Sequence, residues 1–129
     1  MNVATIIARV LLGLLFIFFG SNGFLNFIPM PPMTGPGGEF INSMNVTGYL
    51  TVIAALQLIG GALLLVSRYV SLGLTLLGPV IVNIGLFHIF MDRSGLAMAG
   101  LVSALSLFLL WRYRADFPAI FGPAESTPR

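Results

Sequence analysis

Six side chains able to hydrogen-bond or carry charge stand inside otherwise apolar stretches of this sequence. They are Arg9, Asn22, Asn26, Gln57, Asn83 and His88. Polar groups at membrane depth are costly, so we expect each one either to pair with a neighbouring helix or to belong to a site. His88 is the only imidazole of the chain, and Asp92 follows one helical turn later. That spacing lets Asp92 touch His88 and orient its ring.

These residue types favour binding over catalysis. One histidine and no cysteine exclude a structural zinc site, a bis-histidine haem and an iron–sulfur cluster built from this chain alone. The sequence has no glycine-rich phosphate loop, no G-x-S-x-G elbow and no H-E-x-x-H motif. Glu39 lies in a loop and Asp92 at a turn, so nothing pairs their carboxylates. We predict no catalytic residue, no metal and no cofactor held by the chain alone, and we favour a protein that is not an enzyme.

The composition shows which solvent surrounds these groups. Of 129 residues, 57% are hydrophobic and only 8% are charged, whereas a soluble domain carries about 25% charged residues. A soluble globule is therefore excluded, and so is a disordered chain, which needs low hydrophobicity. The net charge of +2 comes from six basic residues and four acids. That is too few to neutralise phosphates, so we predict no nucleic-acid partner.

Four stretches are long and apolar enough to cross a bilayer as helices, which takes about 20 residues each. They are 4–28, 47–66, 70–90 and 95–112. The second and third, and the third and fourth, are separated by a few residues each, which makes them antiparallel neighbours. The sequence therefore predicts a single domain over 1–129, an all-α integral membrane protein with an up-down-up-down four-helix transmembrane bundle.

The long connection, 29–46, is rich in proline and glycine. Its four prolines and three glycines are predicted to prevent regular helix through Gly38. After that point, Phe40, Ile41 and Met44 fall on one face of a short interfacial helix. We expect this segment to cover the mouth of the bundle, with an apolar lid formed by Met30, Met33, Phe40 and Met44.

Arginine placement predicts the orientation of the bundle. Arg93 stands on one side, and the other five arginines stand on the opposite side. Both termini and the tail 113–129 are then cytoplasmic, and the loop 29–46 is external. Arg9 is expected to extend towards the inner headgroups. The other five polar residues lie between the midplane and the external surface, which predicts a polar pocket beneath the lid formed by Asn22, Asn26, Gln57, Asn83 and His88.

Six sequence blocks, in their order and spacing, resemble the DoxX family of small bacterial membrane proteins. The blocks are 8–13, 19–24, 27–31, 57–61, 82–88 and 111–114. The resemblance covers the chain from about residue 8 to 122 and implies a four-helix bundle in the bacterial cytoplasmic membrane. Relatives in that family are associated with membrane redox systems, including a thiosulfate:quinone oxidoreductase and an oxidative-stress complex. Many members are acidic where this chain has Gln57, and a neutral amide cannot take up a proton.

Three functions remain open from the sequence. The resemblance favours a non-catalytic accessory subunit of a quinone-linked or oxidative-stress redox system, contacting a redox partner protein or a second copy of the chain, and in reach of quinone. The clustering in depth favours a small-molecule binding or catalytic site around His88, Asn83, Gln57 and Asn22. The third function is a helper in membrane-protein assembly.

Overall fold

The computed structural model describes residues 2–29 and 33–123, and these residues form helices without a strand. In chain order the helices are α1 (Val3–Leu25), α2 (Gly35–Val46), α3 (Tyr49–Val66), α4 (Val70–Phe90), α5 (Leu96–Arg112) and α6 (Pro118–Phe121). Short 3-10 turns at Arg93–Gly95 and Arg114–Asp116 precede α5 and α6. The predicted all-helical class is confirmed over the described residues.

Four of these helices are long and apolar enough to cross a membrane. They are α1, α3, α4 and α5, the last counted together with its 3-10 turn as Arg93–Arg112. The first predicted stretch is too long at its end, since α1 stops at Leu25 where Asn26 turns left-handed, with φ 49°. The second begins later than predicted, at Tyr49, after Gly48 with φ 83°. The four-span prediction is confirmed, with these boundary corrections.

The four long helices pack in a closed order, α1 on α3, α3 on α4, α4 on α5, and α5 back on α1. Their shared core contains Leu12, Phe16, Leu64, Leu77 and Leu109, all fully buried. The outer faces are apolar as well, with Val52, Val82 and Leu107 each more than 60% exposed. Exposed apolar surface over a whole bundle is what contact with lipid tails requires.

Small residues let α1 and α3 approach closely. A Cβ on Gly61 would stand 2.8 Å from the carbonyl oxygen of Gly13 and 3.1 Å from the amide nitrogen of Ile17. Further along, Gly20 of α1 lies against Ala54 of α3. Later residues of α1 thus contact earlier residues of α3, so the two helices are antiparallel. Close backbone approach at glycines is the usual way that membrane helices gain packing contacts.

The end of the bundle where α1 begins and α3 ends is held by a buried arginine, and we call it the closed end. Arg9 is 9% exposed. Its Nη1 donates to the carbonyl oxygens of Leu64 and Leu65, the second at 3.1 Å. The expectation that Arg9 extends to the headgroups is therefore wrong. The last carbonyls of α3 lack partners within the helix, and the guanidinium supplies donors to them.

The connection between α1 and α3 contains more helix than the sequence predicts. Regular helix begins at Gly35, three residues before the predicted limit at Gly38. Pro36 lies in the first turn of α2. There its missing amide hydrogen removes no helical bond, and its fixed φ suits the helix. Gly37 is buried, and a Cβ there would stand 3.3 Å from the carbonyl oxygen of Met91. The glycine thus brings α2 against the end of α4.

Candidate ligand-binding cavity

A cavity of about 540 Å³ lies between α2, α3 and α4. Most of its wall is apolar, with Leu50, Ile53 and Leu56 from α3 and Val80 and Ile84 from α4. It lies at the opposite end of the bundle from Arg9, and we call this the cavity end. Ligand sites typically occupy about 300–1,000 Å³ and combine an apolar wall with a few convergent polar groups.

Three of the five residues predicted to form a polar pocket line this cavity. Gln57 comes from α3, and Asn83 and His88 come from α4. Asn83 and His88 are five residues apart and face different directions on their helix. Both side chains still line the cavity, because it extends along α4.

The Asn83 amide is held in one orientation. Its Nδ2 donates to the carbonyl oxygen of Pro79 at 2.8 Å, one turn back along α4. A carbonyl accepts and cannot donate, so the nitrogen of the amide must face it. Oδ1 and the second N–H of the amide are then the groups that Asn83 has left to offer.

The His88 ring is fixed by its neighbours on three sides. Nδ1 lies 2.8 Å from the main-chain carbonyl oxygen of Asp92. The Phe87 ring meets the imidazole edge-on, with 5.1 Å between centroids. Gly95 lies against the ring so closely that a Cβ there would stand 2.6 Å from Nδ1 and 2.7 Å from Nε2. The position of the imidazole therefore depends on a glycine in the next connection.

Asp92 orients His88 through its main chain. The spacing predicts that Asp92 touches His88, and the contact is made by the main-chain carbonyl of Asp92. The carboxylate Oδ1 instead accepts from the Ser94 hydroxyl at 2.8 Å and from the Ser94 amide at 3.1 Å. These bonds, the hydroxyl bond first, hold the pKa of Asp92 below its ordinary value. The carboxylate is taken up in capping the 3-10 turn that follows it.

The residues predicted as a lid lie along one side of the cavity. Met33, Phe40 and Met44 all line it, while Met30 lies outside the described residues. Phe40 of α2 stacks on Phe87 of α4, with 5.9 Å between centroids and 28° between planes. This stacked pair joins the connection to the bundle beside the cavity.

Asn22 and Asn26, the other two predicted pocket residues, lie at the end of α1 instead. The Asn22 side chain makes two bonds to the main chain of Ile28, accepting at 2.8 Å and donating at 3.2 Å. It closes the turn that leaves α1. Asn26 is exposed and adopts the left-handed conformation that ends the helix, which asparagine tolerates better than most residues. Neither residue lines this cavity, because the Asn22 amide bonds the turn after α1 and the backbone of Asn26 ends the helix.

Several cavity residues were absent from the sequence prediction, including Tyr49, Ile53, Val80, Ile84 and Phe87. On α4 the spacing of Val80, Asn83, Ile84 and Phe87 follows the three-and-four-residue repeat of one helix face. That repeat was available in the sequence as a stripe through Asn83. It is hard to single out because the other faces of α4 are equally apolar.

Metal chemistry has little support in the part of the chain that the structure describes. Residues 2–29 and 33–123 contain no group of three or more His, Cys, Asp or Glu side chains placed to hold a metal ion. The polar side chains of the cavity lining are those of Tyr49, Gln57, Asn83, His88 and Asp92.

Comparison with known proteins adds no relative. A scan against protein-family models and searches of curated proteins and of solved structures each found no match to this chain. The DoxX resemblance therefore stays a prediction from the sequence blocks.

Proposed function

We propose that this protein binds a small, largely apolar molecule in the cavity between α2, α3 and α4. The observation that carries the proposal is the convergence of Gln57, Asn83 and His88 on one apolar space. Residues far apart in sequence meet there, and two of them are fixed by hydrogen bonds to the main chain. A fixed polar group inside an apolar wall is what orients a bound ligand.

The membrane setting belongs to the same proposal. Four apolar helices favour a multi-pass membrane protein. The arginine distribution favours cytoplasmic termini, and the DoxX resemblance favours the bacterial cytoplasmic membrane. The cavity then faces the external half of the bilayer, with α2 over its mouth. A ligand dissolved in the bilayer would reach it from the lipid.

Filling the cavity tests the proposal. Met44 lies half-buried in its wall, so Met44→Trp adds bulk where the ligand would sit. The protein is extracted from membranes in mild detergent, and native mass spectrometry measures any molecule that remains bound. We expect the wild type to carry a bound molecule and Met44→Trp to lose it.

The matched control is Asn42→Ala, on an exposed position of the same helix. It is expected to keep the bound molecule at wild-type occupancy. Equal occupancy in Met44→Trp and in the wild type, with both folded by circular dichroism, contradicts the proposal. So does a wild-type protein that carries nothing and binds no added apolar compound.

The accessory role in a redox system is a second proposal, supported by the DoxX resemblance. It is compatible with ligand binding, because a subunit beside a quinone-linked enzyme can hold an apolar molecule. It predicts that purification in mild detergent brings down a stoichiometric redox protein. A visible absorption spectrum of the same sample would detect flavin or haem in that partner. A homogeneous preparation of this chain alone would count against it.

A further inference from the structure

The hydrogen-bonding groups of the cavity differ in what they can still do. His88 Nδ1 faces the carbonyl oxygen of Asp92 at 2.8 Å. Since a carbonyl only accepts, Nδ1 carries the hydrogen, and Nε2 of the uncharged imidazole is then a pure acceptor. Among the described residues Nε2 has no hydrogen-bond partner. His88, a residue of the cavity lining, thus keeps a lone pair at Nε2.

Asn83 offers a lone pair for a parallel reason. Its nitrogen donates one hydrogen to the Pro79 carbonyl, which leaves Oδ1 as an acceptor and the second N–H as a donor. Both groups fixed on α4 therefore keep an acceptor, and at His88 the remaining ring nitrogen only accepts. Gln57 on α3 has no hydrogen bond to other described residues, so it can turn to supply either a donor or an acceptor.

We infer that the ligand is an apolar molecule with a hydroxyl group, an alcohol or a phenol, which donates its O–H to His88 Nε2 or Asn83 Oδ1. The inference rests on the proposed function and specifies the ligand class. A ketone or an ether presents lone pairs only and gives His88 Nε2 no hydrogen to accept. A hydroxyl donates to His88 Nε2 or Asn83 Oδ1 and still accepts from Gln57.

The walls set the rest of the ligand. Most of the remaining lining is aliphatic and aromatic, with the Phe40–Phe87 stack on one side, and it also includes Tyr49 and Asp92. The Asp92 carboxylate already accepts from Ser94, and the apolar part of the wall fits a hydrocarbon body. A site that hydrogen-bonds a hydroxyl rejects the analogue lacking it far more strongly than an apolar pocket rejects a size difference.

A matched pair of probes tests the inference. They are para-nonylphenol and its methyl ether, para-nonylanisole, which share the apolar body and differ in the donor hydrogen. Calorimetric titration of the protein in phosphatidylcholine nanodiscs, at mildly alkaline pH and with empty nanodiscs subtracted, gives both dissociation constants. We expect the phenol to bind about tenfold more tightly than the ether, the value of one well-placed hydrogen bond.

Two variants locate the preference. His88→Phe and Asn83→Leu each remove one fixed acceptor and keep an apolar wall, so each should lower the phenol preference by about threefold or more, mostly by weakening the phenol. Asn42→Ala should leave the preference unchanged. Thermal unfolding checks that each variant is folded, and if His88→Phe does not fold, Asn83→Leu gives the same readout.

The outcomes separate this inference from the proposed function. Equal affinity for both probes in the wild type overturns the hydroxyl preference and leaves an unselective apolar site, as a lipid chain would occupy. A preference that survives both variants also overturns it. If neither probe binds the wild type above empty nanodiscs, the cavity is not a site for apolar molecules of this size, and the proposed function fails instead.

Discussion

The two ends of the bundle treat polar groups in opposite ways. At the closed end, Arg9 is buried and its Nη1 donates to carbonyls that end α3. At the cavity end, Gln57 makes no bond to the described residues, and His88 and Asn83 keep an acceptor each. Both ends contain polar side chains within apolar sequence. Arg9 also has a buried Nε without a partner, but it lies in the closed end of the bundle, whereas Gln57, Asn83 and His88 line a cavity. The comparison teaches that a polar side chain at membrane depth becomes a candidate for binding when it has hydrogen-bonding capacity left and space beside it for a ligand.

The largest expected effect concerns Arg9. Arg9→Met leaves two carbonyls at the end of α3 without their donor, which should lower the free energy of unfolding by about 2–3 kcal/mol. The measurement is a denaturant titration in detergent micelles. Arg68→Met is the matched control, since Arg68 is exposed, and it should change stability by less than about 0.5 kcal/mol. Equal losses in the two variants would contradict the assignment of Arg9 to the α3 end.

The next effect concerns the close approach of α1 and α3. Gly61→Ala places a methyl group 2.8 Å from a main-chain oxygen, which cannot move aside as a side chain can. We expect a loss of about 1–3 kcal/mol in the same titration. Gly78→Ala, where a Cβ would meet nothing within 4 Å, should be neutral or slightly stabilising. A neutral Gly61→Ala would show that the closed end is less tightly packed than described.

A smaller effect is expected for two amide side chains that both stand in apolar stretches of the sequence. Asn22→Leu removes both bonds to the Ile28 main chain and should lower stability by about 1–2 kcal/mol. Gln57→Leu removes an amide without a partner in the described chain and should change stability by less than about 0.5 kcal/mol. Thermal unfolding of the two variants side by side checks this. A larger loss in Gln57→Leu would assign Gln57 to the structural group.

The smallest effect is the titration of Asp92. Because Ser94 bonds the carboxylate and lowers its pKa, the stabilisation is present above the ordinary Asp pKa and is lost as the pH falls through the lowered value. Ser94→Ala should move the pKa of Asp92 upward, towards the ordinary value. Carbon-13 labelling of aspartate gives signals from Asp92 and Asp116 only, so NMR in micelles can follow both. An unchanged Asp92 titration would contradict the Ser94 contact.

The helical class and the four spans follow from the sequence because apolar length and the absence of charge determine them locally. The limits of helices depend on single residues, and there the sequence succeeds only in part. Pro36 was predicted to prevent helix, but at the first turn of α2 it favours one. Asn26 was counted as part of a span, but its left-handed backbone ends α1.

The residues of the candidate site were harder to predict from the sequence than the helices. Depth alone placed Gln57, Asn83 and His88 together with Asn22 and Asn26, and the structure divides this set by hydrogen-bond partners. Asn22 finds its partner in Ile28, beyond the end of its own helix. Arg9 finds its partners on α3, about half the chain away. Partners of that kind arise from the turn geometry and from helix packing, and no local pattern around the side chain encodes them.

The contact between Gly95 and His88 has a consequence for how this cavity can change. A methyl group at position 95 would overlap the imidazole, so Gly95→Ala would turn the ring away without altering any residue of α4. The proposed ligand preference could therefore be changed from outside the cavity lining, by one hydrogen-to-methyl exchange in the connection before α5. The absence of a side chain at Gly95 shapes the proposed site as much as the residues that line the cavity.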